Sequence, residues 1–405
     1  MPRQHCDIFI SGGGIAGLTA AAAFASAGFN VICVDPAPPI TDQTAAGADL
    51  RTTAMLQPAR KVLEAAGLWD RLAPHASALQ IMRIVDAGGP TPEPRLTRDF
   101  NASDVSDQPF GWNLPNWLLR REILARLEEL PNADFRAGIS AHALFTRESG
   151  ARVTLSDGSH VHAQLVIAAD GRGSPMRQAA GIDVRTTRYG QKALAFAVTH
   201  PIPHENVSTE IHRTGGPFTL VPLPDREGVP CSAVVWMDDG PLSQARHTME
   251  VAEFEAEMSA RSCHLFGPLT LVSQRTIWPI ISQQAVSLSG ERLALIAEAA
   301  HVVPPIGAQG LNMSLADTAT LLSLAQARPE GLGDRQMLDA YHKARYGDIT
   351  VRVQGIDLLN RASQVHAPLL RDARAAGLNA LYALRPVRKT LMQMGLGVKS
   401  GGQST

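Results

Sequence analysis

The chain has 405 residues, of which 45% are hydrophobic, and a formal net charge of -1 at pH 7. This length allows one large domain with a second lobe, or two domains. The near-neutral charge argues against a nucleic-acid-binding protein, which usually carries a basic excess.

The N-terminal sequence reaches a strand-like run almost at once, without the long apolar segment of a signal peptide. No apolar run approaches the length of a transmembrane helix. The four cysteines lie far apart, without the spacing of a metal site or a disulfide framework. We therefore expect a cytoplasmic protein without a metal site, and leave open a peripheral contact with the inner face of a membrane.

Residues 7–35 predict a strand, a glycine-rich turn, a helix and a second strand. In the turn, Gly12 permits a tight bend, Gly14 lets a pyrophosphate approach the backbone, and Gly17 lets the helix pack close to the sheet. The helix N-terminus offers free N–H groups to phosphates. Asp35 ends the second strand, where an acid is expected to accept hydrogen bonds from a ribose. This pattern predicts dinucleotide binding, and the alternative is a glycine-rich turn in another α/β protein.

Basic residues follow the second strand and begin a later helix. Arg51 lies in the segment LRTTAML, after a loop. Residues 116–130 (NWLLRREILARLEEL) place apolar side chains on one face, as in an amphipathic helix. Asn116, Arg120 and Arg121 near its start are candidate cofactor contacts. A solvated surface position is the alternative for each of them.

Two further segments place an acid after a buried strand. Residues 165–177 (LVIAADGRGSPMR) predict a strand followed by Asp170 in a turn. Residues 295–318 (LIAEAAHVVPPIGAQGLNMSLADT) predict a strand, Glu298, a proline-rich turn and a helix. By itself, the second segment is equally explained by ordinary chain punctuation.

The C-terminal part carries an excess of positive charge. From residue 336 onward, ten Lys and Arg against four Asp and Glu give +6, which leaves -7 for residues 1–335. Its predicted helices carry an apolar stripe, which includes Leu378, Leu381, Tyr382, Leu384, Leu391, Met392 and Met394. Basic amphipathic helices can lie in the lipid headgroup region. We therefore predict a membrane-surface contact, with docking of these helices on the rest of the protein as the alternative.

The glycine-rich turn and the two acid segments, in this order and at this separation, resemble the class A flavoprotein monooxygenases. Those enzymes carry a GxGxxG, a DG segment and a GD segment on one FAD domain. The resemblance implies an α/β fold: a Rossmann-like FAD-binding domain, an antiparallel β-sheet substrate domain and C-terminal helices. It also implies FAD as the bound cofactor, with NADPH or NADH as a transient co-substrate.

The same resemblance gives the later segments their roles. Glu298 stands for the ribose-binding acid, although Ala297-Glu298 replaces the usual Gly-Asp. Pro305 stands for the proline beside the flavin, and the residues that follow supply backbone at the ring, where a helix N-terminus favours negative charge. The full set of implied cofactor-binding residues is Gly12, Gly14, Gly17, Asp35, Arg51, Arg120, Asp170, Glu298, Pro305, Gly310, Leu311 and Asn312.

The resemblance also divides the chain. The FAD-binding domain is expected in three parts, residues 1–74, 116–184 and 281–335. The substrate domain is expected in two parts, residues 75–115 and 185–280, and a C-terminal helical region at 336–405. Phe218, Leu220, Val221, Val234, Val235 and Trp236 are candidate lining residues, with core packing preferred for most of them.

Within the class, three segments are most similar to the ubiquinone-biosynthesis hydroxylases: RTTAML, PPIGAQGLNMSLAD and IDLLNRAS (residues 356–363). The resemblance implies hydroxylation of the aromatic ring of a polyprenylated phenol or benzoquinone precursor, with NAD(P)H and O₂, through a flavin hydroperoxide. A ubiquinone-biosynthesis complex is an implied partner. No catalytic residue is assigned, because this chemistry needs binding, orientation and water exclusion rather than a protein nucleophile.

Two alternatives share the FAD motifs. A class A hydroxylase of a soluble aromatic compound would differ only in the C-terminal part and the substrate pocket. A non-catalytic FAD-binding scaffold is the other, and the replacement of Gly-Asp by Ala297-Glu298 is its main support. A flavin halogenase is disfavoured because the motif WxWxIP is missing.

Overall fold

The computed structural model describes residues 4–45, 47–89 and 91–364, together with Tyr382, Lys389 and Met392. Within these residues the chain forms twenty strands and ten α-helices. The strands are β1 (Gln4–Ser11), β2 (Val31–Asp35), β3 (Thr52–Leu56), β4 (Ser77–Leu79), β5 (Ile81–Asp86), β6 (Leu96–Asn101), β7 (Gly111–Pro115), β8 (Ala133–Ala137), β9 (Ala141–Arg147), β10 (Gly150–Leu155), β11 (His160–Ala168), β12 (Val184–Thr199), β13 (Val207–His212), β14 (Pro217–Arg226), β15 (Val229–Asp239), β16 (Thr270–Leu271), β17 (Thr276–Ala285), β18 (Ser289–Gly290), β19 (Leu293–Leu295) and β20 (His301–Val302).

The helices are α1 (Ile15–Ser26), α2 (Gln57–Ala65), α3 (Trp69–Leu72), α4 (Asn116–Glu128), α5 (Pro175–Ala179), α6 (Gly240–Thr248), α7 (Val251–Arg261), α8 (Ala297–Ala300), α9 (Gln309–Ala327) and α10 (Arg335–Ser363). The predicted helix at 116–130 ends two residues early, at Glu128. Pro131 follows it, and a proline disfavours helical backbone in the residue before it.

The first sheet has eight strands in the order β18-β19-β11-β1-β2-β8, and β10 and β9 extend it from β11. Its five central strands run parallel. In β1, Ile8, Phe9 and Ile10 are all fully buried, as is typical of a parallel strand covered on both faces. The carboxyl ends of β1, β2, β11 and β19 therefore lie along one edge of this sheet.

The second sheet has nine strands in the order β20-β17-β12-β15-β14-β13-β5-β6, with β16 beside β12. Its pairs are antiparallel except for β13 and β5. Leu194, Phe196 and Val198 alternate along β12 and pack in one apolar cluster with Phe254 of α7. This period of two buries one face of the sheet under α7.

A third, small sheet in the order β3-β7-β4 joins the two large ones. From it, the Asn113 side chain donates to the carbonyl oxygen of Pro222 in β14, at 2.9 Å. The architecture confirms the predicted fold class, an α/β protein with a parallel sheet, an antiparallel sheet and a helix near the C-terminal end. The predicted domain boundaries stay a prediction, and β17 continues across one of them, at residue 280.

The predicted C-terminal stripe lies mostly outside the described residues, and this applies to Leu378, Leu381, Leu384, Leu391 and Met394. The Tyr382 hydroxyl donates to the Asp99 carbonyl oxygen at 3.1 Å, and its ring meets Phe100 edge-on. Met392 is buried in a cluster with Leu56. These two residues therefore pack against the rest of the protein. In the described part of the chain, no helix combines the length and apolar character needed to cross a membrane.

Candidate active site

The glycine-rich turn after β1 places three different constraints on its glycines. Gly12 has φ +113°, and a Cβ there would lie 2.3 Å from the Ala169 carbonyl oxygen. A Cβ on Gly17 would lie 2.0 Å from the Gly12 carbonyl oxygen, so a side chain would separate the helix from the turn. A Cβ on Gly14 would meet no heavy atom within 4 Å. The Gly14 position is therefore open, as an approaching pyrophosphate requires.

Helix α1 begins directly after Gly14, and its first turn contains no acidic residue. Among the described residues, no side chain caps this helix. Its first N–H groups therefore have no side-chain acceptor, and the positive end of the helix dipole faces outward. This is the arrangement that binds phosphate groups at helix N-termini.

Asp35 lies at the end of β2, beside the turn. Its Oδ2 accepts the Gly13 N–H at 2.6 Å, and its Oδ1 accepts the Ala37 N–H at 2.9 Å. Each carboxylate oxygen has two acceptor sites, so both retain the capacity to accept a ribose hydroxyl. Gly13, which the sequence reasoning left without a role, thus contributes to the position of the acid.

Asp170 follows β11 at the same edge of the sheet. Its Oδ2 accepts hydrogen bonds from the Ser11 hydroxyl and from the Met176 N–H, both at 3.2 Å. Its Oδ1 is buried and has no hydrogen-bond partner in the part of the chain that the structure describes. Burial raises the pKa of this carboxyl above its ordinary value. A buried acceptor without a partner is costly, and a donor group of a ligand or water would satisfy it.

The Asp49 carboxylate accepts hydrogen bonds from three of the candidate residues. Arg51 binds it through two nitrogens, Nε at 2.7 Å and Nη2 at 2.8 Å. The side chains of Asn116 and Arg120, from α4, bind its Oδ2 at 3.0 Å and 3.2 Å. Arg121 instead pairs with Glu122 at the surface. The structure thus brings Arg51 and Arg120 together, around an acid that the sequence reasoning missed.

The charge state of Asp49 follows from this setting. Burial is the largest single influence and would raise the pKa of the carboxyl. The hydrogen bond and charge of Arg51, with Asn116 and Arg120, outweigh burial and hold the pKa below its ordinary value. Three donors that converge on one carboxylate are equally suited to a phosphate. The signal in the sequence was the acid two positions before Arg51.

The acid after β19 lies in the short helix α8. Ala297 has φ +54°, in the left-handed region that favours glycine. The resemblance to class A flavoprotein monooxygenases places the glycine of Gly-Asp at this position. Glu298 is exposed, and it contributes, after Asp49, to raising the pKa of Arg51. The backbone here therefore keeps the glycine conformation without the glycine.

The proline-rich loop turns sharply before α9. Gly307 and Ala308 both have positive φ, +63° and +55°, and α9 then begins at Gln309. Within the described residues, no side chain caps α9, and a Cβ on Gly310 would meet nothing within 4 Å. The first N–H groups of α9, at Gly310 and Leu311, therefore resemble those of α1 as a place for negative charge.

Asn312 acts through its side chain, which the sequence reasoning did not foresee. Its Oδ1 accepts the Leu56 N–H at 2.8 Å. Its Nδ2 donates to the carbonyl oxygens of Ala54 at 2.7 Å and Ala308 at 2.6 Å. The side chain therefore ties the start of α9 to β3 and to the loop.

The face of the second sheet opposite α7 is apolar near this loop. Ala193, Met237 and Ile280 from three of its strands form one buried cluster with Ile306 of the loop and Ile356 of α10. Val235 packs against this cluster, whereas four of the candidate lining residues lie in the core on the other face: Phe218, Leu220, Val234 and Trp236.

These features lie on a parallel α/β sheet with an antiparallel sheet beside it, and together they define a class of protein. The open turn before the uncapped helix α1 suits a pyrophosphate. Acids at the strand ends, such as Asp35, suit ribose hydroxyls. The uncapped N-terminus of α9 suits an electron-rich ring. The residues therefore fit FAD, and the fold and site are those of a FAD-binding flavoprotein. Among the described residues, no group of three or more His, Cys, Asp or Glu is placed to hold a metal ion.

Comparisons with known proteins name the family. Residues 5–351 match the family described as FAD binding domain. The chain is 33% identical to the ubiquinone hydroxylase UbiL of Rhodospirillum rubrum over 394 residues, 96% of this chain and 89% of the relative. It is 26% identical to the 3-demethoxyubiquinol 3-hydroxylase of Escherichia coli over 409 residues, 98% of this chain and all of the relative. The chain belongs to this family of FAD-dependent monooxygenases.

The fold is also that of solved structures. The p-nitrophenol 4-monooxygenase PnpA from Pseudomonas putida matches with a TM-score of 0.78 at 18% identity, over 99% of this chain and 100% of that chain. PqsL from P. aeruginosa matches with a TM-score of 0.76 at 21% identity, over 93% of this chain and 100% of that one. The predicted enzyme class and the predicted cofactor are confirmed by the family. The individual cofactor contacts stay predictions.

Proposed function

We propose that this monooxygenase hydroxylates the aromatic ring of a polyprenylated phenol or benzoquinone precursor in ubiquinone biosynthesis, with NADPH or NADH and O₂. Support comes from two relatives that are named as ubiquinone hydroxylases and match 96% and 83% of this chain. The observation in the structure that carries the proposal is the apolar face of the second sheet beside the proline-rich loop at residues 302–308, called the cofactor loop below.

That face suits a prenylated ring. Along β12, small side chains alternate with large ones, and Ala193 and Ala195 point away from the α7 cluster. Small side chains take up little space above the sheet, and Met237, Ile280 and Ile306 form a buried apolar cluster beside them. Each CH₂ group that a prenyl chain buries there contributes about 0.8 kcal/mol. A small charged aromatic compound would gain nothing from this cluster, so the prenylated substrate is favoured over the soluble one.

FAD, when bound, would carry electrons from NAD(P)H to oxygen. The protein binds, orients and excludes water. We propose that the N-terminus of α1 holds the pyrophosphate and that Asp35 and Glu298 accept ribose hydroxyls. Pro305 and the first N–H groups of α9 are proposed to lie at the ring. The apolar face then keeps water from the reacting ring, which is the main task of the protein in this chemistry.

Quinone-intermediate profiling tests this function. A strain lacking the protein should accumulate a prenylated intermediate that lacks one ring hydroxyl. The wild-type gene should restore the quinone, and a Gly14→Val variant should not. Purified protein should oxidise NAD(P)H in air, which a scaffold without turnover would not do. An unchanged quinone profile in the deletion strain would exclude the prenylated substrate in favour of a soluble aromatic one.

We also propose that the basic C-terminal part contacts an anionic membrane surface, where a polyprenylated substrate would be delivered. The support is its net charge of +6. Co-sedimentation of the full chain, and of a version ending at Arg385, with anionic and neutral vesicles tests this. Binding of the full chain to anionic vesicles at low salt supports the contact. If neither version binds, the membrane contact is excluded. The alternative is then that the C-terminal part docks on the rest of the protein, as Tyr382 and Met392 do. A ubiquinone-biosynthesis complex stays a predicted partner.

A further inference from the structure

A buried hydrogen-bond chain begins at His301, just before the cofactor loop. His301 Nε2 lies 2.6 Å from Asp317 Oδ2, in the interior of α9. Asp317 Oδ1 accepts a second bond, from Arg345 Nε of α10, at 2.8 Å. His301 and Asp317 are almost completely buried, and Arg345 is buried as well. The entry of the loop is thereby tied to α10.

The chain continues along α10 and returns to the other end of the loop. Arg345 Nη1 donates to Asp348 Oδ2 at 2.7 Å, and Arg352 Nε donates to Asp348 Oδ1 at 3.0 Å. Arg352 Nη1 then donates to Gln309 Oε1 at 2.7 Å. Gln309 Nε2 donates in turn to the Gly307 carbonyl oxygen at 2.8 Å. Residues 302–308 are therefore held at both ends by one helix.

The backbone of the loop at residues 302–308 forms few hydrogen bonds that could stabilise its conformation. Pro304 and Pro305 have no N–H group to donate. Gly307 and Ala308 both adopt positive φ, and for Ala308 this conformation is unfavourable and must be imposed by its surroundings. Ile306 anchors the middle of the loop in the apolar cluster, and the positions of its two ends depend on the hydrogen bonds described above.

We propose that Arg345 and Arg352 of α10 are positioning residues for the FAD ring, because they fix the two ends of the loop that carries Pro305. The proposal concerns FAD and goes beyond the proposed substrate. It holds whichever ring the enzyme hydroxylates. Two arginines and two aspartates balance in charge along this chain, so the network closes without an unpaired ion. Groups that support a site in this way set its geometry without touching the ligand.

A double-mutant cycle between Arg352 and Gln309 tests the proposal by FAD binding. Both residues lie at the end of the network that holds the start of α9, so Arg352→Ala and Gln309→Ala leave the bonds of Asp317 in place. Each single variant should weaken FAD binding about tenfold, and the double variant also about tenfold, because both remove the same connection. The measurement is the FAD dissociation constant from flavin fluorescence, together with the visible circular dichroism of the bound flavin.

Two further variants sharpen the result. Arg352→Lys keeps a positive charge beside Asp348 but loses the planar fork, so it should weaken FAD binding nearly as much as Arg352→Ala. Arg335→Ala, on an exposed side chain at the start of the same helix, should leave the dissociation constant and the dichroism unchanged. Single variants within twofold of wild type would overturn the proposal. So would a double variant weakened by the product of the two single effects, about a hundredfold.

Discussion

Gly14 and Gly17 lie in one turn, yet the structure constrains them differently. The Gly14 position is open on the protein side, so Gly14→Val should fold normally but lose FAD, because the side chain would occupy the place of the pyrophosphate. Flavin retention on purification and the free energy of unfolding of the FAD-free protein measure this. Gly17→Ala is the matched control, since its Cβ would overlap the Gly12 carbonyl oxygen and destabilise the fold itself. Full FAD occupancy in Gly14→Val would contradict the predicted role.

Ala297 occupies a glycine conformation. A left-handed L-residue costs roughly 1–2 kcal/mol, while a glycine costs about 0.4–1 kcal/mol through the unfolded chain. We therefore expect Ala297→Gly to raise the free energy of unfolding by about 0.5–1 kcal/mol. Urea unfolding of the FAD-free protein measures it. Ala299→Gly, at a buried position without positive φ, should lower stability instead, and a loss of stability in both variants would argue against backbone strain at Ala297.

Glu298 is exposed beside Arg51 and carries the predicted contact with ribose. Loss of a charged hydrogen-bond partner typically costs roughly 1–3 kcal/mol, so Glu298→Ala should weaken FAD binding by that amount. Glu298→Asp restores the acid usual at this position and should be mild or favourable. The FAD dissociation constants of the two variants decide the point. If the alanine variant binds FAD as wild type does, the acid points elsewhere.

At the scale of elements, the stability that α10 contributes to the fold depends on pH through Asp348. Burial would raise the pKa of this carboxyl, but Arg352 and Arg345 outweigh burial and hold it below its ordinary value of 3.8. A carboxyl with a lowered pKa binds fewer protons in the folded state. Its stabilising effect is therefore complete above the ordinary pKa and is lost as the pH falls through the folded value.

Asp348→Asn should consequently lower the free energy of unfolding at neutral pH, because two arginines lose their carboxylate. The difference from wild type should shrink as the pH falls below about 4, where wild type loses the same charge. Urea unfolding at a series of pH values measures both curves. A difference that stays constant from neutral to acid pH would show that the charge of Asp348 does not hold α10.

Elements near the site also show where local patterns stop being informative. The GxGxxG predicts the strand, turn and α1 because glycine is required by the backbone within a few residues. The start of α9 is different. It is fixed by Asn312, whose partners at Ala54 and Leu56 lie far away in the chain. An asparagine in a helix carries no local sign of such partners.

At the scale of the whole molecule, FAD connects elements that are far apart in the sequence. A ligand that binds only the folded state stabilises it by mass action, so FAD at a hundredfold excess over its dissociation constant should add about 2.7 kcal/mol to the free energy of unfolding. Thermal and urea unfolding with increasing FAD measure this. The Gly14→Val variant should show no such gain, and a gain equal to that of wild type would place the cofactor elsewhere.

The sequence by itself determined the class of fold, the cofactor and the family. Local geometry, such as a glycine where a turn needs one and an acid where a strand ends, predicts dinucleotide binding, and the resemblance to class A flavoprotein monooxygenases supplies the cofactor and the family. The resemblance also identified Arg51 and Arg120 as candidates, but the local sequence fits Arg121 as well as Arg120. Only the tertiary structure decided that Arg120 faces Asp49, that Trp236 packs with Phe254 of α7, and that α10 holds both ends of the loop at residues 302–308. These are contacts between residues distant in the chain, and such partners are set by how the sheets and helices pack rather than by any spacing in the sequence.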